Sequence, residues 1–276
     1  DRTASWDGKE LKIDPHWQNN FMYYFLSESK FKNTTWYDFV NKNIANTVLH
    51  KIIYNSPVVS VDYSNNQVSL NTLNDKIYKA DRVLVTVPIG ILKSDKISFK
   101  PELNKNKKDA IEDITYHPGF KVAMKFSEKF YPDAITCKAK NGERGFYDMA
   151  FGKETQSNIL GFLCTGDEIE NYDQLNSKKE IIDQLIDELD QMFNGKASAS
   201  FSGKYILENW GSYEFTNGTW TQAFQEKKSN LKILNQPLDN KVYFAGEIND
   251  PYKQMGVPGA ILSGYFAIDK LLTDHK

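Results

Sequence analysis

The stretch from Val242 to Ala260 constrains the fold more than any other part of the chain. Val242-Tyr243-Phe244-Ala245-Gly246-Glu247 is an apolar run closed by Gly-Glu. After a short loop, Gly256-Val257-Pro258-Gly259-Ala260 opens a helical pattern that runs to about Leu272. The first run suits a buried strand, and proline in a first turn suits a helix start. A strand leading through glycines into a helix N-terminus attracts electron-rich ligands. The first N–H groups of the helix have no partner inside it, and the positive end of its dipole faces them. Glu247 at the strand end can accept hydrogen bonds from ligand hydroxyls. Gly259, Ala260, Ser263 and Gly264 give the helix a small-residue face that a flat or large group can approach. A reduced flavin fits such a site; glycine used for packing alone is the other reading of the same residues.

The rest of the chain reads as mixed α and β. Residues 1–54 read as mostly helical, with Thr35 as N-cap before Trp36, Phe39, Val40, Ile44 and Val48 at helical spacing. Short strands follow at Val58–Val61, Val68–Leu70 and Ile77–Tyr78, with a turn signal at Asn65-Asn66. Arg82–Val87 is nearly continuous, stops at Pro88, and suits a strand buried on both faces. A short charged helix is expected over 104–114. Strands are expected at Lys121–Phe126, Ile159–Leu163 and Tyr205–Leu207. The clearest helix starts at Ser177 with Glu180 completing a capping box. Ile181, Ile182, Leu185, Ile186, Leu189 and Phe193 line one face, and Gly195 ends it.

Composition narrows the function. The chain has 276 residues, and Lys+Arg 34 nearly balance Asp+Glu 36. That balance excludes a nucleic-acid surface built on overall charge. No apolar run approaches the ~20 residues of a membrane span. Cys137 and Cys164 cannot form a disulfide framework, and His16, His50 and His275 show no metal-ligand spacing. Only Arg2, Arg82 and Arg144 are arginine, so few side chains can grip a carboxylate or phosphate in bidentate fashion.

Four segments, in order, resemble the flavin-containing amine oxidases. Phe244–Glu247 with Gly256–Gly264 resembles the family's C-terminal signature. Asp81–Leu92 resembles its A-D-x-V-x-V-T-V-P-x-G-V-L strand and turn. Gly119-Phe120-Lys121-Val122, with Phe126 and Phe130-Tyr131, resembles the strand carrying its flavin-facing lysine. Trp210 followed by Gly218-Thr219-Trp220 resembles its W…G-S-Y-S segment. The match covers about residues 55–276. It implies an α/β fold in which an α+β substrate domain interleaves with a Rossmann-type FAD domain. Residues 1–54 and 99–206 would form the substrate domain; 55–98 and 207–276 would form part of the FAD domain.

The resemblance also implies a site. Val58, Val87, Pro88, Trp210, Phe215, Gly246, Glu247, Gly256, Val257 and Ala260 fall on cofactor-binding positions. Lys121 falls on the catalytic lysine that holds a water near the flavin, and Trp220 on a substrate position. FAD would be held non-covalently, because Ile248–Met255 contains no cysteine. The G-x-G-x-x-G loop for the FAD pyrophosphate occurs nowhere in the chain, so the FAD domain would be incomplete. The chain is therefore expected to be the C-terminal part of a longer enzyme, with an N-terminal fragment completing the FAD domain. Its implied reaction is oxidation of a small amine with O2 as second substrate. The alternatives are an L-amino-acid oxidase of the same family and a non-catalytic, degenerate flavin domain used for binding. An amino-acid oxidase would want an arginine for the substrate carboxylate, and Arg144, expected in a loop of the substrate domain, is the candidate.

Overall fold

A computed structural model describes residues 3–13, 29–173, 175, 177–221, 228–250 and 256–274. In chain order the strands are β1 Thr3–Trp6, β2 Leu11–Ile13, β3 Val58–Asp62, β4 Val68–Thr72, β5 Ile77–Ala80, β6 Val83–Val85 and β7 Ser98–Lys100. They continue as β8 Gly119–Phe126, β9 Ala134–Cys137, β10 Gly142–Asp148, β11 Asn158–Gly166, β12 Phe201–Asn209 and β13 Val242–Phe244. The principal helices are α1 Trp36–Val40, α2 Ile89–Lys93, α3 Lys105–Glu112, α4 Lys178–Phe193, α5 Lys228–Asn235 and α6 Gly256–Thr273. The chain divides into two compact units. One comprises Asp1–Ile52 and Pro118–Asn209, the other Ile53–His117 and Trp210–Lys276.

The first unit is built on a seven-stranded sheet in the order β12-β8-β11-β10-β9-β1-β2. Strand β8 alternates as its sequence demands. Phe120, Val122, Met124 and Phe126 are buried, while Lys121 and Ala123 are half-buried and Lys125 is exposed. The buried face joins Phe146, Leu160 and Phe162 and is covered by α4 through Ile182, Leu185, Ile186 and Leu189. Ser177 caps α4 by accepting the Glu180 N–H at 3.2 Å. The helix ends at Asn194, which takes the left-handed conformation at φ 53, one residue before the expected glycine.

The expectation for residues 1–54 is corrected in part. Thr35 does cap a helix, accepting the Asp38 N–H at 3.1 Å. Residues 3–13, however, form a hairpin, and β1 pairs parallel with β9 (Thr3↔Ala134 to Trp6↔Cys137). Pairing with a strand so distant in sequence overrides local helical character. Residues 14–28 lie outside the described residues.

The second unit contains a four-stranded sheet, β5-β4-β3-β7, and a parallel pair, β13-β6. Strand β7 pairs parallel with β3 (Ser60↔Ser98 to Asp62↔Lys100), so residues 99–117 belong to this unit and not to the other, as their position in sequence suggested. Strand β6 is also shorter than expected. Only Val85 is fully buried, with Val83 and Leu84 half-buried, because β13 is its one described partner. Val61, Val68, Val85, Val242 and Phe244 form one cluster, and Ile89, Ala110, Ile111, Ile114 and Leu234 a second. Among the described residues no helix is long and apolar enough to cross a membrane.

The α4 contact is directly testable. Leu185 is fully buried, whereas Ile181 is only partly buried at its edge. Leu185→Ala is expected to cost about 2–5 kcal/mol and Ile181→Ala distinctly less, read from urea unfolding midpoints. Equal losses at the two positions would show that α4 does not bury the assigned face.

Candidate functional site

The parallel pairing of β13 with β6 creates the turn at the centre of the second unit. Val242, Tyr243 and Phe244 lie opposite Val83, Leu84 and Val85, and the Ala245 N–H continues the pairing to the Val85 carbonyl at 3.0 Å. At Gly246 the backbone leaves the strand with φ 152, a conformation that glycine adopts without strain. Ser263, buried in α6, takes over the backbone groups released there. Its Oγ accepts the Gly246 N–H at 2.9 Å and lies 2.9 Å from the Gly246 carbonyl and 2.8 Å from the Ala260 carbonyl, to which its one proton can go. One hydroxyl thus joins the end of β13 to the second turn of α6.

Part of the small-residue face of α6 is used by the protein itself. A Cβ on Gly259 would lie 2.7 Å from Oδ2 of the buried Asp250. Gly259 is therefore needed for Asp250 to approach the first turn. Ala260 and Gly264 remain half-buried. Gly256, at the start of that turn, has φ 68; among the described residues no heavy atom lies within 4 Å of a Cβ built on it, and Val257 is 37% exposed.

Glu247 follows directly in the turn, half-buried. Its Oε1 accepts the Thr221 N–H at 3.3 Å and the Thr221 hydroxyl at 3.1 Å. Among the described residues Oε2 has no hydrogen-bond partner. Burial raises the carboxyl pKa, and the two Thr221 bonds oppose that rise. Thr221 also bridges Tyr116, whose hydroxyl is pushed up to about 12 by burial and by the charge of Glu247.

The segment leading to Thr221 carries the expected aromatics. The Trp210 carbonyl accepts the Gly218 N–H at 3.0 Å and the Thr216 hydroxyl at 2.7 Å, which closes 210–218 into a loop. The Thr219 N–H and hydroxyl both reach the His117 carbonyl at 3.0 Å. Trp210 and Trp220 are half-buried, and Phe215 is 47% exposed, edge-on to Tyr213. Val58 and Val87 pack against the cluster containing Phe244, and Pro88 occupies the N-cap position of α2. The second unit therefore brings Val58, Val87, Pro88, Trp210, Phe215, Trp220, Gly246, Glu247, Gly256, Val257 and Ala260 into one body.

Lys121 belongs to the first unit. It lies on β8 opposite Leu163 of β11 and Glu208 of β12, on the face away from the α4 core. Arg144 is not in a loop. It sits within β10 with its side chain 14% exposed. Its Nη2 donates to Glu188 Oε2, and its Nε and Nη2 reach the Tyr172 hydroxyl at 3.1 and 3.0 Å. A guanidinium so engaged is not available to a substrate carboxylate. Sequence reasoning missed Thr221 and Asp250 as parts of the site and marked Ser263 only as small. The position of Thr221 beside Trp220 was the one signal that pointed its way.

These residues fit the isoalloxazine and ribityl portions of a flavin. A half-buried carboxylate with one unclaimed oxygen suits a hydroxyl-bearing chain. The first turn of an 18-residue helix suits an electron-rich ring edge. The pyrophosphate end is different, since this chain supplies no glycine-rich loop for it.

Comparisons with known proteins give the family and the fold. Residues 34–272 match the family model described as flavin containing amine oxidoreductase. Polyamine oxidase 4 of Oryza sativa subsp. japonica is 29% identical over 219 residues, covering 78% of this chain and 44% of that protein. Lysine-specific histone demethylase 1 homolog 1 of Arabidopsis thaliana is 30% identical over 222 residues, covering 77% and 26%. Cyclohexylamine oxidase from Brevibacterium oxydans IH-35A superposes with TM-score 0.68 at 18% identity, covering 85% of this chain and 52% of that one. The chain spans less than half the length of the curated relatives it matches. It has the α/β amine oxidase fold and belongs to the family of flavin-containing amine oxidoreductases.

Proposed function

We propose that this chain forms part of an FAD-dependent oxidase of small amines, with the first unit contributing substrate-binding residues and the second flavin-binding ones. The observation that carries this reading is the Glu247 turn: a carboxylate with an unclaimed oxygen beside the N-terminal turn of α6. Bound FAD would supply the two-electron oxidation of the amine to an imine and pass the electrons to O2, giving hydrogen peroxide.

The chain's own residues bind and orient. Glu247 accepts hydrogen bonds from flavin hydroxyls, and the Gly256 and Val257 N–H groups face the electron-rich ring edge. Gly246 and Ala260 flank these groups, Val87 and Pro88 lie beside the cofactor, and Val58 contacts its adenine end. Trp210 and Phe215 supply aromatic surface along the ring. Trp220 faces the amine, whose charged form an aromatic face attracts and whose neutral form it shelters from water. Lys121 holds a water by hydrogen bonding and stabilises negative charge developing on oxygen. An amine is favoured over an amino acid because, of the arginines among the described residues, Arg144 is engaged with Glu188 and Tyr172 and Arg82 donates to the backbone carbonyl of Asp81.

Three measurements on the full-length protein carrying this chain test the reading. The purified protein should be yellow and release peroxide with putrescine, spermidine or tyramine but not with L-amino acids. Turnover of amino acids alone would move it to the amino-acid oxidases. Protein that stays colourless after addition of FAD and any preceding polypeptide would make it a non-catalytic binding domain. Glu247→Gln should weaken FAD binding by about tenfold or more, because a charge-assisted bond is worth about 1.5–3 kcal/mol. Unchanged affinity in a fluorescence titration would remove Glu247 from the site. Lys121→Met should slow reoxidation by O2 far more than reduction by amine in stopped-flow traces; equal slowing of both half-reactions would take that role away.

A further inference from the structure

Among the described residues, Lys107 is the most deeply buried cation the mechanism does not use. It lies on α3, is 2% exposed, and pairs with no carboxylate among the described residues. Its Nζ instead donates to three backbone carbonyls at the C-terminal end of α5: Ile233 at 3.2 Å, Leu234 at 3.0 Å and Gln236 at 2.6 Å. It also lies 3.9 Å from the centre of the Phe244 ring. Phe244 is the last residue of β13, directly ahead of Ala245-Gly246-Glu247. An ammonium has three donors, and here each meets one carbonyl. Those carbonyls belong to the end of a helix that attracts positive charge, and an aromatic face attracts it too.

We propose that Lys107 is a positioning residue whose ammonium ties the end of α5 to β13 and so fixes the turn presenting Gly246 and Glu247, in a proton-dependent way. A neutral amine has only two N–H donors and no attraction to the ring, so deprotonation releases one carbonyl and loosens β13. The consequence for cofactor binding rests on the flavin reading above; the tie itself does not.

Burial works against the ammonium that the carbonyls and the ring favour. Burial brings the Lys107 pKa down to about 7. The residue also lines a cleft of about 550 Å³ together with Tyr63, Glu102 and Asp239, which gives water access. The charged groups whose side chains are described on the surrounding elements include Glu102, Lys105, Lys108, Asp109 and Glu112 on and before α3, Lys232 on α5, and Asp239 and Lys241 before β13; Glu112 pairs with Lys93 at 3.9 Å. Lys105 pairs with Asp109, Lys108 with Glu102, and Lys241 donates to the Tyr63 and Asn65 carbonyls. Pairing holds Glu102 below and Lys108 above their ordinary ranges, and burial pushes Tyr63 up, which moves all three away from neutral pH.

Hydrogen exchange on the flavin-free protein tests this. After correction for intrinsic exchange, protection of the amides of Leu238–Gly246 should fall by roughly tenfold or more between about pH 6 and about pH 8.5. Lys107→Met, neutral and of similar length, should show the lower protection at both pH values. Protection in the wild type that is equal at the two pH values, or a step that survives in Lys107→Met, overturns the proposal. If Lys107→Met does not fold, the ¹³Cε resonance of Lys107 in the wild type decides. Its midpoint must coincide with the exchange step, and a separate midpoint overturns the proposal. Because no flavin is present, failure of flavin binding leaves this result standing, and failure here leaves the flavin reading intact.

Discussion

The hydroxyl of Ser263 against the backbone of Gly246 is the contact on which the second unit's site depends. Gly246 departs from the strand conformation just where the β13 ladder ends, and its N–H and carbonyl lose ladder partners there. A buried, unpaired backbone group costs about 1–3 kcal/mol. Ser263 satisfies that N–H and in doing so sets the distance between the strand end and α6. Glu247 is the next residue, so its carboxylate inherits its place from this joint. Thr221 then orients Oε1 from the far side of the aromatic loop.

The two units treat buried positive charge in different ways. Arg144 is matched by a carboxylate and a phenol, and its planar fork lies against aromatic rings. Such an ion pair costs desolvation at both ends and fixes β10 relative to α4 more than it adds stability. Among the described residues Lys107 has no counter-ion, only carbonyl dipoles and a ring face. The dipoles and the ring favour the charged form while burial opposes it, so its protonation is set by the balance of the two. The arginine, which cannot lose its proton, serves as a fixed brace; the lysine is the adjustable one.

Much of this was legible in the sequence. The apolar spacing from Ile181 to Phe193 behind the Ser177 cap defined α4, and Val242–Glu247 with Gly256–Ala260 defined the β13 turn and α6. Such features are local, so a single periodicity or capping pattern carries them. What stayed hidden was set by partners distant in the chain. Thr3–Trp6 becomes a strand through β9, and Ser98–Lys100 moves the unit boundary to residue 117 by pairing with β3. Arg144 reads as a loop residue until β10 is seen between β9 and β11. The roles of Asp250 and Thr221 depend on which backbone each one meets across a turn, and no spacing rule encodes that.

The chain visits each unit twice, leaving the first at Ile52, returning at Pro118 and leaving again at Asn209. This order matters as the polypeptide leaves the ribosome. Strand β6 emerges early, yet its described neighbour β13 comes only after the whole first-unit sheet. At roughly 5–20 residues per second, that interval is on the order of ten seconds. Until then the edge of Val83-Leu84-Val85 that β13 will cover lacks that partner, and an unpaired apolar edge is the kind of nascent surface that holding chaperones bind.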